Sequence, residues 1–172
     1  HFMSNRRIFL NLKNENYNEV IKICKLEGDK NADAQIVLAY CYALGLGVAE
    51  NDAKAVELLQ KALGRECELN HIGRSMLVFY RLAGGNGVEQ NLNFACELLR
   101  KGGTDFAELR GAVQEMLNTR ESYELYYGWG TIQAKEYQEA MEQTDFKILY
   151  KDWKTWMREG ETMQAYIDAH LD

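Results

Sequence analysis

A chain of 172 residues suits one domain or two very small ones, and 47% hydrophobic content allows a packed core. A net charge of −6 comes without the concentrated Lys and Arg that a phosphate backbone needs, so nucleic acid is not an expected partner and a basic or neutral protein is electrostatically easier. There is no proline and no apolar run of transmembrane length, which points to helices and against a membrane partner.

The first residues, HFMSNRRIFLNLKN, lack the sustained apolar region and small-residue cleavage site of a signal peptide. His1 and Phe2 are read as additions ahead of a native start at Met3. Arg7 to Leu12 predicts a short helix. Asn14, Asn16 and Asn18 crowd a turn. Tyr17 to Leu26 predicts a helix with Val20, Ile21 and Cys24 on one face, stopped by Gly28.

Ala34 to Leu44 predicts the next helix. After YALGLGV, Asn51 or Asp52 caps a helix to about Leu63, with Ala55, Val56, Leu58, Leu59 and Ala62 at helical spacing. The same pattern returns forty residues on. Gly45, Gly47 and Val48 align with Gly85, Gly87 and Val88; Tyr40 aligns with Tyr80, and Glu57-Leu58-Leu59 with Glu97-Leu98-Leu99. The second copy predicts a helix from Arg74 to Ala83, then one capped by Asn91 and ended by Gly102-Gly103. Each copy is a helix hairpin that must stack to bury its apolar face. Beyond Gly103 the period fades. Helices are expected from Thr104 to about Leu117 and at 133–143, 145–158 and 161–171.

The glycine pairs invite comparison with a phosphate-binding loop. That fingerprint needs a strand before the glycines, whereas a helix precedes them here, and no Gly-Lys-Ser/Thr follows. Gly45, Gly47, Gly85 and Gly87 are therefore read as structural turns, in which one glycine takes the left-handed cap conformation. Cys41 aligns with Arg81 and Cys96 with Val56, so no repeated disulfide is expected and a reducing cytoplasm is the default location. Cys67 and His71 in the inserted segment GRECELNHIG, residues 64–73, fall short of a zinc ligand set; no metal and no cofactor is expected. As an exposed loop, that segment is also a contact candidate. There is no nucleophile elbow, HExxH or paired CxxC, so no catalytic residue is assigned; a cryptic activity in the C-terminal third is the least favoured alternative.

Residues 32–63 resemble a Sel1-like repeat, a relative of the tetratricopeptide repeat, through Ala34, Leu38, Tyr42, Gly45, Gly47, Val48, Asp52, Ala55 and Ala62. Residues 72–103 resemble a second, weaker copy, with Leu82 in place of the tyrosine, and residues 3–30 a degenerate hairpin. The resemblance implies an all-α, short solenoid of antiparallel helix hairpins over residues 3–103. A divergent helical C-terminal region, 104–172, would pack on it as a cap. It also implies a non-catalytic protein-interaction module of bacterial type, such as an adaptor. The alternative is an immunity protein that occludes a basic toxin or effector domain. Carried over residue by residue, the pattern places Ile36 and Tyr40, with Met76 and Tyr80, on the inner surface of neighbouring helices as partner-binding candidates. Coverage of this stripe by the chain's own terminal helices is the competing expectation. Trp153 and Trp156 are further candidates. They belong to an aromatic set with Tyr126, Tyr127 and Trp129, which reads first as a capping core and second as a docking face.

Overall fold

The computed structural model describes residues 2–101, 106–117, 139, 142–160 and 162–171. The regular elements among them are helical, and the fold is all-α. Tyr126, Tyr127, Trp129, the Thr104 cap, the Gly102-Gly103 stop and nearly all of the helix expected at 133–143 lie outside the described residues. The chain divides into two compact units, residues 1–74 with 154–172, and residues 75–153.

In the first unit, α1 (Phe2–Lys13), α2 (Tyr17–Glu27), α3 (Ala32–Leu44) and α4 (Asp52–Ala62) pack each against the next. A C-terminal helix, α9 (Thr162–Leu171), closes onto α1. The helix α1 starts earlier than Arg7 because Asn5, Ile8, Phe9 and Leu12, all buried, form one continuous stripe at helical spacing. The sequence of α3, ADAQIVLAYCYAL, is apolar almost all round, and it is buried almost all round, with Tyr42 alone half-buried. A helix of this composition must sit between others, and α3 lies between α2 and α4. Asn31 caps α3 by accepting from the Ala34 N–H at 3.1 Å, and Asn51 caps α4 through Lys54 at 3.0 Å.

The helix expected from Arg74 begins four residues sooner, so that α5 spans Asn70–Ala83. The inserted segment is thus anchored rather than a free loop. Leu69 and Ile72 are fully buried, and the Leu69 N–H donates to the Asp33 carboxylate at 2.9 Å.

The second unit holds most of α5, then α6 (Leu92–Lys101), α7 (Ala107–Leu117), a 3-10 turn (Phe146–Ile148) and the start of α8 (Leu149–Glu159). Asn91 caps α6 through the Phe94 N–H at 3.1 Å, and Arg110 of α7 donates to the Leu99 carbonyl near its end at 2.9 Å. Trp153 is fully buried there, stacked on Phe79 at 5.5 Å and edge-on to Tyr80 at 4.8 Å. Each such aromatic pair adds about 0.5–1.5 kcal/mol beyond the area it buries.

Candidate protein-interaction surfaces

The two glycine turns solve the same problem with a one-residue difference. At the end of α3, Gly45 takes a left-handed conformation (φ 69°), and the Cys41 carbonyl accepts the Gly45 and Leu46 N–H groups. The Tyr42 carbonyl accepts the Asn51 N–H. In the second copy Gly84, not Gly85, takes the left-handed cap (φ 72°), and the Asn91 N–H returns to Arg81. The cause is local: Leu44 aligns with Gly84, and a glycine one position earlier lets the helix end one residue earlier. The spare residue is absorbed by a bridge between Gly85 and Val88 around Asn86-Gly87.

Ile36, Met76, Tyr80 and Trp153 are fully buried and Tyr40 is 7% exposed, so among the six partner candidates only Trp156 offers half-exposed area. What covers Tyr40 is the chain itself. Its hydroxyl donates to the Met157 carbonyl at 3.4 Å, and burial pushes its pKa up to about 12. One turn along, Arg158 donates to the Leu44 carbonyl at 3.1 Å, satisfying one of the last carbonyls of α3. Lys154 is buried, with its ammonium 2.7 Å from the Asp52 carboxylate and also paired with Glu50. Asp52 sits in the first turn of α4, where the helix dipole favours a carboxylate. Sequence reasoning missed this triad. Its one signal is a lysine lodged between Trp153 and Met157, two residues of the inward stripe.

A second polar network ties the start of α3 to its neighbours. Asn5 donates to Asp33 at 3.0 Å, Asn31 donates to Asn5 at 2.8 Å, and Gln35 donates to Asp29 at 2.9 Å. Arg65 of the inserted segment donates to the Gln35 side chain and the Asp29 carbonyl. The Cys67 thiol is pushed up to about 12, first by burial and then by the charge of Asp33, to which it is also hydrogen-bonded. It stays a thiol at neutral pH and is a poor nucleophile and metal ligand. Among the described residues no group of three or more His, Cys, Asp or Glu is arranged to hold a metal ion.

Two open depressions lie at hairpin tips. One of about 750 Å³ is lined by Gly84, Gly85, Asn86, Glu89, Lys147 and Tyr150 in the second unit. The other, of about 480 Å³, is lined by residues 15–19 and Gly47 in the first. Their mixed charges and shallow form define no catalytic constellation. Larger apolar side chains are exposed on α1 and α2, at Phe2, Met3, Leu10 and Leu26.

Two helix hairpins in tandem, each closed by a left-handed glycine and an asparagine cap, define a helical-repeat protein. The Sel1 repeat family model matches residues 32–63 and 75–103, so these two segments are Sel1-like repeats. Sel1 repeats generally mediate protein–protein interaction. No curated protein and no solved structure matched the chain. No helix of the described residues is long and apolar enough to cross a membrane.

Proposed function

We propose that this chain is a non-catalytic interaction module that binds a basic protein partner through its helical repeats. The observation that carries this reading is the pair of Sel1 repeats, supported by the acidity of the chain, −6 overall. Within the class, a bacterial adaptor is the first form of this reading and an immunity protein that occludes a cationic toxin domain is the alternative, which the acidity of the chain also suits.

An affinity-tagged chain is expected to retain a protein partner at 0.1 M salt and release it at 1 M, where the screening length falls from about 10 Å to about 3 Å. A chain that retains no protein at low salt and instead turns over a small-molecule substrate overturns the reading. Neutralisation of one toxin at equal stoichiometry selects the immunity role; several weak partners select the adaptor.

A further inference from the structure

The first unit is completed by a segment from the far end of the chain. Residues 154–172 belong with residues 1–74: 154–158 meet α3 and the start of α4, and α9 packs on α1. Three kinds of contact seat the segment. The Lys154 ammonium enters the carboxylates of Asp52 and Glu50. The Arg158 guanidinium closes the end of α3 at the Leu44 carbonyl. Met157, between them, is buried with its carbonyl on the Tyr40 hydroxyl. Lysine and arginine four positions apart lie on one face of a helix, so this seat reads two cationic side chains one helical turn apart around an apolar one.

We infer that segment 154–171 is an internal ligand, held in a seat that also receives a partner helix carrying Lys and Arg four residues apart around an apolar side chain. The inference rests on the protein-binding reading and names its partner chemistry. Two features make the internal ligand exchangeable. Glu50 keeps about half of its side chain in solvent while Asp52 is enclosed, so an incoming cation meets Glu50 before Lys154 leaves Asp52. Gly160, directly after α8, gives the segment a bend between its two helices, and Met163 and Ile167 alone supply the fully buried apolar area of α9. Glu50 and Asp52 supply the local negative charge that receives a Lys/Arg pair and repels carboxylates placed at the same two positions.

The test uses the full chain and a fluorescent peptide of residues 154–171. Lys154→Gln with Arg158→Ala weakens the internal ligand and keeps every residue of the seat, with Asp52 and Glu50 left to be paired by the peptide. The peptide is expected to bind this variant at least ten-fold more tightly than the unaltered chain, and a peptide with Glu at both basic positions is expected not to bind. Equal binding of both peptides, or of neither, by a variant with unaltered circular dichroism overturns the inference; partner capture by the unaltered chain, scored separately, still decides the protein-binding reading. A dimer built by exchange of this segment reassigns the occupant to a second copy and overturns the partner helix. Hydrogen exchange on the unaltered chain decides the matter even where the variant fails to fold. Amides of 154–171 are expected to exchange at least ten-fold faster than those of α3, and identical, globally limited rates overturn the inference.

Discussion

The Lys154 ammonium lies 2.7 Å from the Asp52 carboxylate although 102 positions separate them in the chain, and both side chains are almost wholly buried. An ion pair taken out of water is costly to break from one side, because the remaining charge keeps its burial and loses its partner. Lys154→Met is therefore expected to destabilise the protein by about 3–5 kcal/mol. Adding Asp52→Asn is expected to recover a large part of that loss. Urea midpoints of the two variants check this, and a double variant no better than the single one contradicts it.

Gly47 combines a left-handed backbone (φ 72°) with a crowded site. A Cβ there would lie 2.9 Å from the Tyr17 Cβ and 3.0 Å from its carbonyl carbon. Gly45 is also left-handed, yet the nearest atoms to its added Cβ are 3.7 Å away. Gly47→Ala is expected to cost more than the ~1–2 kcal/mol of the left-handed conformation, and Gly45→Asn less. Equal costs in urea unfolding would show that the approach of Tyr17 carries no weight.

Asp33 accepts hydrogen bonds from the Asn5 amide and the Leu69 N–H, one on each oxygen, and also from the Cys67 thiol. In Asp33→Asn one of those donors meets an NH2 group instead of an oxygen. A loss of about 1–3 kcal/mol is expected. The damage should concentrate where the inserted segment joins α5, and faster hydrogen exchange around residues 67–72 reads this out.

Alkaline pH should unfold the protein early. The Cys41 thiol is pushed from its ordinary 9.0 up to about 12 by burial, and Tyr40 from 10.0 up to about 12 by burial and by nearby Tyr17. The folded state keeps protons that the unfolded state releases, so stability is full below about pH 9 and falls as pH rises towards 12. Tm measured at pH 7, 9 and 10.5 is expected to be level over the first interval and to drop over the second. A flat profile to pH 11 would contradict the burial of these groups.

The repeat frame was legible because a forty-residue period aligns two turns and four helices at once, and caps such as Asn51 and Asn91 act over three residues. Asn70 was not legible as a helix start, since what holds Leu69 is a carboxylate on α3, at Asp33, 36 positions back. The shift from Gly85 to Gly84 as the second cap follows from a glycine where the first copy has Leu44, a departure that aligning the glycine pairs alone passes over. Tyr40 shows the same limit at the site. The repeat resemblance places it on an inward face, but only the fold reveals that Met157 and Arg158 already occupy the ground above it. Lys154 was hidden for that reason: its partners lie more than a hundred residues upstream.

The joining of the first helices to residues 154–172 sets a timetable during synthesis. The face bearing Tyr40 leaves the ribosome with its carboxylates Glu50 and Asp52 but without the lysine that neutralises them. The intervening residues 75–153 must be translated first, which at about 5–20 residues per second takes roughly 4–16 s. For that interval the nascent chain carries an uncovered, negatively charged helix seat. A cationic helix, whether of a chaperone or of a cognate partner, would meet it then without having to displace anything.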